Sequence, residues 1–465
     1  MNLLVVLAAL ALLMFVAYRG YSVILFAPVC AMLAVLLTAP SQVLPMFSEI
    51  FMEKTAGFLK LYFPVFMLGA VFGKVIELAG FSKSIVSSVS AVVDKKRAIL
   101  SIVLVCALLT YGGVSLFVVV FAVYPFAAEM FRQSDIPKRL IPGAIALGSF
   151  TFTMDALPGT PQIQNIIPTT FFKTDAWAAP WLGVTGAVFI LTSGLAYLSW
   201  RRRQAAAAGE GYGSGHLNEP EPFLHERLPN PWLALTPLAL VAGLNKLFAT
   251  AIPERLGKSV TIGLPGRALT AGALTADVTK MAGVWAVEGA LIAGILFVIA
   301  FGWKQVRAKF VEGSRAAISG SLLASMNTAS EYGFGGVIAA LPGFAIVADA
   351  LKRIPNPLVN EAVTVTTLAG ITGSASGGLS IALAAMSDTF IQAAHAARIP
   401  LEVLHRVAAM ASGGMDTLPH NGAVITLLAV TGLTHRASYR DIFAVTLIKT
   451  AAVFVVIAVY YIIPR

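Results

Sequence analysis

The stretch Met154-Asp155-Ala156-Leu157-Pro158-Gly159 is nearly repeated in the second half of the chain as Met415-Asp416-Thr417-Leu418-Pro419-His420. Each copy places a carboxylate and a helix-breaking proline in a stretch that is otherwise apolar enough to lie in lipid. A carboxylate inside a bilayer is costly unless it is paired, protonated or beside a water-filled cavity, so it indicates a functional site. Two such stretches at corresponding positions of two halves are typical of a transporter built from repeats.

The repeat extends beyond this motif. Gly112-Gly113-Val114-Ser115-Leu116 recurs as Gly377-Gly378-Leu379-Ser380-Ile381, and Ile136-Pro137 recurs as Ile399-Pro400. Compositional bias produces similar strings in any apolar protein, but it does not keep three blocks in the same order at nearly the same spacing. The sequence therefore predicts two structural repeats.

Composition assigns the chain to a class. Of 465 residues, 57% are hydrophobic and 12% are charged, and the mean hydropathy is +0.81. An ordinary soluble domain carries about twice that share of charged residues, so we predict a polytopic membrane protein. Cys30 and Cys106 lie in apolar runs, which supports neither a disulfide framework nor a cysteine metal site. The net charge of +10 comes from short loops and reports membrane topology, so no nucleic-acid partner is predicted.

Several apolar segments are too short to cross about 30 Å of hydrocarbon. The run over residues 3 to 16 is followed, not preceded, by a basic residue, so we predict a first transmembrane helix and not a cleaved signal peptide. Breaks at Gly112-Gly113, at Pro158, between Gly373 and Gly378, and at Pro419 predict discontinuous helices lining a cavity. The predicted fold is an all-α polytopic membrane protein of two inverted-topology repeats with broken helices or re-entrant hairpins.

Basic loops predict the orientation. Arg19, the Lys95-Lys96-Arg97 run and Arg201-Arg202-Arg203 fall on one side, which the positive-inside rule assigns to the cytoplasm. The N-terminus is then outside and the second half is inverted relative to the first. We predict an N-terminal repeat over residues 1–200, a cytoplasmic linker over 201–230 whose composition cannot bury a core, and a C-terminal repeat over 231–465.

Hydroxyl and amide side chains are dense in two places where the sequence predicts interrupted helices, residues 325–333 and 372–378. Such breaks offer hydroxyl and backbone N–H groups to an anion. The alternative is that small residues serve close helix packing. The predicted substrate-binding residues are Gly112, Gly113, Ser115, Ser325, Asn327, Thr328, Ser374, Ser376, Gly377, Gly378 and Asn421.

Buried carboxylates are the candidates for proton coupling. Asp155 and Asp416 carry the repeat, and a histidine follows only the second copy, so we expect Asp416 to be the more sensitive of the two. The aspartates could instead cap the half-helices that follow. The predicted coupling residues are Asp155, Asp416, His420 and Glu331, with Glu361 and Asp388 as competitors. No cofactor is predicted.

Three runs resemble those of the gluconate:proton symporter (GntP) family: Gly-Gly-Val-Ser-Leu-Phe at 112–117, Asp-Ala-Leu-Pro-Gly-Thr-Pro-Gln-Ile-Gln-Asn at 155–165 and Ser-Gly-Gly-Met-Asp-Thr-Leu-Pro-His-Asn-Gly at 412–422. The resemblance implies a bacterial inner-membrane carrier of the ion-transporter superfamily, a homodimer that moves a small hydroxycarboxylate with the proton gradient. The residues flanking these runs are more apolar than in sugar-acid members. That difference favours a less hydroxylated anion such as 3-hydroxybutyrate over gluconate.

Two alternatives stay open at this point. A sodium-coupled carrier would use backbone carbonyls and Ser, Thr or Asn oxygens to coordinate the ion, and the chain has enough of them. An intramembrane aspartyl protease would use Asp155 and Asp416 as a dyad, which requires the two carboxylates to share a proton.

Overall fold

The computed structural model describes residues 2–19, 21–92, 97–114, 116–220, 228–261, 275–346, 354–419 and 421–463. Two predicted site residues, Ser115 and His420, lie outside the described residues. The described chain is almost entirely helical. Its strands form one short antiparallel hairpin, β1 (Ser259–Thr261) and β2 (Thr275–Asp277).

The first half contains nine of the helices that position the site. They are α1 (Asn2–Tyr18), α2 (Val23–Thr38), α3 (Glu53–Leu78), α4 (Phe81–Val92), α5 (Ala98–Tyr111), α6 (Leu116–Gln133), α7 (Ile141–Ser149), α8 (Ile163–Phe172) and α9 (Pro180–Ala207). The segment before α3 is already helical and includes a π-helical stretch, Met46–Met52, so helix runs without a gap over Pro40–Leu78. A single helical turn, Phe152–Asp155, follows α7.

Eight further helices lie in the described part of the second half. They are α10 (Pro231–Leu256), α11 (Val278–Val306), α12 (Phe310–Ala340), α13 (Pro357–Thr372), α14 (Ala375–Ala396), α15 (Leu401–Ser412), α16 (Gly422–Thr431) and α17 (His435–Ile462).

Five helical segments of the described chain are long and apolar enough to cross a membrane. They are Pro40–Leu78, α9, α10, α11 and α17. The apolar helices α2, α5 and α16 are shorter than the roughly 20 residues that a membrane-spanning helix needs. The prediction of an all-helical, polytopic membrane protein is confirmed.

The two repeats have the same order of elements. In the first, α5 ends at a glycine pair, α6 follows, and an Ile-Pro step leads through α7 into the first motif, α8 and the long α9. In the second, α13 ends at Gly373, α14 follows, and an Ile-Pro step leads through α15 into the second motif, α16 and the long α17. The predicted repeats with broken helices are therefore present in the folded chain.

The breaks have local causes in the sequence. Gly113 and Gly373 adopt positive φ angles of 94° and 65°, a conformation that glycine reaches without steric cost. Ser374 then caps α14, because its hydroxyl accepts a hydrogen bond from the Gly377 N–H at 3.1 Å. Pro158 lies in the non-helical loop at 156–162, and Pro419 lies at the end of the described non-helical residues 413–419, as predicted.

Residues 325–333 do not interrupt a helix, so that prediction was wrong. They lie inside the continuous helix α12. The Ser325 hydroxyl donates to the Leu322 carbonyl at 3.1 Å, and the Thr328 hydroxyl donates to the Ala324 carbonyl at 3.2 Å. Hydroxyl groups satisfied on the preceding turn are compatible with an unbroken helix.

The alternative role of the motif aspartates as helix caps is also wrong. The residue that precedes α8 is Gln162, and the one that precedes α16 is Asn421. The Asn421 amide oxygen accepts hydrogen bonds from the N–H groups of Ala423 and Val424. The aspartates lie earlier in each loop, so their carboxylates are not used at these helix ends.

The linker is shorter and better packed than its composition predicts. Helix α9 continues to Ala207, and the next residues dock against the two repeats. The Lys138 ammonium donates to the Leu217 carbonyl at 2.7 Å, and the Asn218 amide donates to the Ala429 carbonyl at 2.9 Å. Two hydrogen bonds of 2.6 Å from the Arg139 guanidinium lower the pKa of Glu210. Residues 208–220 thus form an ordered strap.

Candidate functional site

The two copies of the Met-Asp-x-Leu-Pro motif meet where the repeats pack together. The Asp155 carboxylate lies against Gly413, at the end of α15, so closely that a Cβ atom at position 413 would overlap it. Asp155 is buried, and its Oδ1 atom has no hydrogen-bond partner in the described chain. Only a glycine in the loop of the second motif leaves room for the carboxylate of the first.

Asp416 has a cationic partner. Its Oδ1 atom forms an ion pair with the Lys449 ammonium on α17. The same ammonium donates to the Phe150 carbonyl at 3.0 Å, in the chain just before the first motif. Lys449 therefore links both copies of the motif, and its side chain is buried together with that of Asp416.

Arg406 on α15 is the most extensively bonded side chain at this junction. It is 0% exposed, and it donates to oxygens of the first repeat. Its Nη1 atom bonds the Asp155 carbonyl at 2.8 Å and the Asn165 amide oxygen at 2.9 Å. Its Nε and Nη2 atoms bond the Ala178 carbonyl at 3.1 and 2.8 Å, and Nη2 also bonds the Ala176 carbonyl at 3.4 Å. The guanidinium thereby holds the first motif and residues 176–178 against α15.

Together these side chains form a charge cluster, which we define as Asp155, Arg406, Asp416 and Lys449. Asp155 lies close enough to the other three to interact with each of them electrostatically. Two carboxylates and two cations balance formally, but only Asp416 and Lys449 form an ion pair among the described residues of the cluster. Asp155 has the Arg406 and Lys449 cations nearby. No group of the described chain donates a hydrogen bond to its Oδ1 atom.

Hydrogen bonds between α15 and α8 border the charge cluster. They involve His405 on α15 and Asn165 on α8. His405 Nε2 lies 3.2 Å from the Asn165 amide oxygen, and His405 Nδ1 lies 2.6 Å from the Thr174 hydroxyl. The Asn165 amide nitrogen donates to the carbonyls of Thr160 and Ala176. Because an amide oxygen accepts, this arrangement assigns the imidazole hydrogen to Nε2 and makes Nδ1 an acceptor for the Thr174 hydroxyl.

A second group of polar side chains lies where α12 meets the start of α14. Ser321, Ser325, Thr328 and Glu331 follow one another at spacings of three and four, which places them on one face of α12, and all four are buried. The Thr328 and Ser376 hydroxyls are 3.2 Å apart. We call Thr328, Glu331, Ser374, Ser376 and Gly377 the hydroxyl cluster.

The two clusters are connected through the break between α13 and α14. The Asn421 amide nitrogen, which directly follows the second motif, donates to the Gly373 carbonyl at 2.7 Å. Gly370 lies one turn earlier in α13. A Cβ atom at position 370 would lie 3.0 Å from the Met415 side chain. The loop of the second motif therefore rests on the helix break that carries the hydroxyl cluster.

Some predicted substrate ligands have apolar surroundings instead. A side chain at Gly112 would overlap Leu238, and Gly113 faces Pro161 and Leu291. A Cβ atom at Gly378 would overlap the backbone of Ala369 in α13. The Ser325 hydroxyl already bonds its own helix, and Asn327 is half-buried on another part of α12. In this conformation the three glycines pack closely against neighbouring residues, which is the alternative that the sequence left open for small residues.

Four residues of the junction were missed by sequence reasoning: Arg406, Lys449, His405 and Asn165. A signal for Lys449 was present, because it lies inside a strongly apolar run. Ionisable residues of either sign inside a membrane segment indicate function. Arg406 has Glu402 and His405 close by in the sequence, so its signal was weaker. Asn165 carried no comparable signal.

Gly159, the last residue of the first motif, is predicted to tolerate no side chain. Its φ angle is +80°, and a Cβ atom would overlap the Trp177 ring. We expect Gly159→Ala to destabilise the protein by about 1 to 3 kcal/mol through strain and displaced packing. Thermal unfolding in detergent measures this effect. Gly57→Ala in α3 is the matched control, since nothing lies within 4 Å of the added methyl group. The thermal midpoint of this control should not fall. Equal losses of stability in both variants would contradict the prediction.

A fold of broken-helix repeats with buried charges between them defines a membrane transporter. No family model matches the chain. It is 61% identical over 474 residues to YxjC, an uncharacterized transporter of Bacillus subtilis (strain 168), and the match covers 99% of both chains. The chain belongs to the same transporter family as YxjC, and it is not an enzyme.

Solved structures share the fold at low identity. The YdaH transporter of Alcanivorax borkumensis superimposes with a TM-score of 0.55 at 17% identity, over 91% of this chain and 89% of that one. MtrF of Neisseria gonorrhoeae, described as belonging to a class of antimetabolite efflux pumps, gives a TM-score of 0.52 at 13% identity, over 90% and 83%. At these identities the likeness extends to the fold alone.

Proposed function

We propose that this transporter is a proton-coupled symporter of a small hydroxycarboxylate in the bacterial inner membrane. The observation that carries the proposal is Asp155, a buried carboxylate at the junction of the repeats with one oxygen unpaired. Burying an ionised carboxylate without hydrogen-bond partners is expensive, so such a group binds a proton or a cation during part of the transport cycle. The resemblance of both motif runs to the GntP family favours the proton.

The two aspartates then have different roles. Asp416 is held by the Lys449 ammonium, so we assign it a structural role. Asp155 has no fixed partner at Oδ1 and is the better proton carrier. This reverses the expectation, based on the neighbouring histidine, that Asp416 is the more important coupling residue.

The proposed substrate class is based on the polar groups of the hydroxyl cluster, which a substrate could bind. The hydroxyl cluster offers Thr328 and Ser376 hydroxyls beside the N-terminus of α14, an arrangement suited to a carboxylate with a hydroxyl group nearby. The apolar residues that flank the three motif runs favour 3-hydroxybutyrate over gluconate. From the resemblance to the GntP family we propose a homodimer. From the distribution of basic loops we propose inverted repeats over residues 1–200 and 231–465, an external N-terminus and a cytoplasmic linker.

The coupling ion can be tested with purified protein in liposomes. Labelled 3-hydroxybutyrate is offered with a proton gradient, a sodium gradient or neither, and labelled gluconate is offered in parallel. We expect accumulation above equilibrium with the proton gradient in the absence of sodium. Accumulation that requires sodium would establish the alternative, a sodium-coupled carrier, and no uptake of any of these carboxylates would contradict the proposed substrate class.

Asp155→Asn separates binding from coupling. The amide keeps the size of the side chain but cannot carry a proton, so we expect exchange of external for internal substrate to continue while accumulation driven by a pH gradient is lost. Asp388→Asn is the matched control, because Asp388 lies exposed on α14 and should not affect either measurement. Retained pH-driven accumulation in Asp155→Asn would exclude Asp155 as the proton carrier.

A further inference from the structure

The N-terminus of α14 has the properties of an anion site. Ser374 engages two of the first-turn N–H groups, those of Gly377 through its hydroxyl at 3.1 Å and Gly378 through its carbonyl at 2.9 Å. The N–H groups of Ala375 and Ser376 have no intrahelical acceptor, as at the start of any α-helix. The 22-residue helix also places a partial positive charge here. These features alone do not identify a ligand.

A carboxylate of the protein itself points into this place. Glu331 on α12 is 4% exposed, and its Oε2 atom has no hydrogen-bond partner in the described chain. The carboxylate lies directly over Gly377, where a Cβ atom would overlap it, and it interacts with the Ser374 hydroxyl. An unpartnered acidic oxygen is thus held against the positive end of a long helix.

We propose that Glu331 is a tethered occupant of a carboxylate-binding site at the N-terminus of α14, and that the carboxylate of the transported substrate binds there after the Glu331 side chain has left. The identity of the second ligand rests on the proposed function. The site itself rests on the position of Glu331 over Gly377. A free carboxylate placed there would lie next to the Thr328 and Ser376 hydroxyls, which are close enough to bond a hydroxyl group on the substrate.

Mutual exclusion follows from this arrangement. Glu331 and the substrate carboxylate would require the same space and the same few donors, so both cannot be bound at once. Glycine at position 377 is required because any side chain would fill the space that either carboxyl group uses. Substrate binding therefore moves the Glu331 side chain out of the site, and α12 is the element that responds.

Glu331→Ala tests the site with acetate as the probe. The variant removes the tethered carboxylate and leaves the place vacant for a free one. We expect the thermal midpoint of purified Glu331→Ala to rise by at least about 2 °C in saturating sodium acetate, relative to equal sodium chloride, because a ligand of the folded state stabilises it by mass action. The unsubstituted protein should show no such rise, since Glu331 occupies the site.

Glu331→Ala/Gly377→Ala is the matched control, because the added methyl group fills the vacated space and should abolish the acetate effect. No acetate effect in folded Glu331→Ala, or the same effect in the control, would overturn the proposal. If Glu331→Ala does not fold, Glu331→Ser decides. Its short side chain also leaves the place above Gly377 vacant, so its thermal midpoint should rise in sodium acetate, and no rise would overturn the proposal. An acetate effect without transport of any carboxylate would keep the site and refute the proposed function.

Discussion

Replacing Arg406 by Gln is expected to lower the free energy of unfolding by about 3 to 5 kcal/mol, as when one side of a buried charged network is removed. The guanidinium makes five hydrogen bonds to the oxygens of Asp155, Asn165, Ala176 and Ala178. A glutamine amide can donate only two. The Asn165 and Ala176 oxygens keep donors from His405 and Asn165, but the carbonyls of Asp155 and Ala178 lose their guanidinium bonds, at about 1 to 3 kcal/mol for each one left unsatisfied. Unfolding in detergent, followed by heat or denaturant, measures the loss.

Two further variants show whether the hydrogen bonds or the charge are responsible. Arg406→Lys keeps the positive charge but loses the planar fork of donors, so we expect it to lie between the glutamine variant and the unsubstituted protein. Arg203→Gln removes an exposed arginine near the end of α9 and should leave stability unchanged within about 0.5 kcal/mol. Normal stability of Arg406→Gln would contradict the account of the junction between the repeats.

Breaking the ion pair between Asp416 and Lys449 is the second large expected effect. Lys449→Met leaves the Asp416 carboxylate buried without its cation, and Asp416→Asn leaves the ammonium without its anion. Each single change should cost about 3 to 5 kcal/mol of stability. The double variant Asp416→Asn/Lys449→Met removes both charges and should be more stable than either single variant.

Stability of the four proteins, measured under one set of detergent conditions, gives the interaction free energy of the pair. We expect losses that are non-additive by about 1 to 3 kcal/mol, the range found for residues in direct contact. Additive losses would mean that the two charges do not stabilise one another, and Asp416 would again be a candidate for proton coupling alongside Asp155.

Much of the fold was predictable because the motifs at the helix breaks occur twice in the sequence. The paired motifs, the glycine pairs and the Ile-Pro steps place the breaks at Gly113, Pro158, Gly373 and Pro419, where the chain does leave the helix. Glycine at positive φ and proline in a loop act locally, so no knowledge of distant contacts is needed. The start of a helix at Pro231 was likewise predicted.

Features that depend on distant contacts were predicted less well. Dense Ser and Thr in residues 325–333 suggested a break, but a hydroxyl that bonds the preceding turn leaves a helix intact, and α12 is continuous. The linker composition suggested a chain without packing partners, yet Lys138 and Ala429, far away in sequence, bind it.

The charge cluster could be predicted only in part for the same reason. Asp155 and Asp416 stand out through the repeated motif. Their surroundings come from α15 and α17, where single basic residues carry no repeat: Arg406 has no arginine at the corresponding position before the first motif, and Lys449 lies in the long closing helix. Which cation pairs with which acid depends on the packing of the repeats.

Proton movement during substrate uptake is the most direct measure of the central claim, that a proton crosses with the substrate by way of Asp155. A pH-sensitive dye inside liposomes reports internal acidification while labelled 3-hydroxybutyrate reports substrate entry, with sodium absent and the membrane potential clamped. The account predicts that both signals rise together in the unsubstituted protein, and that Asp155→Asn exchanges substrate without acidification. Substrate accumulation with a constant internal pH, or acidification that persists in Asp155→Asn, would contradict it.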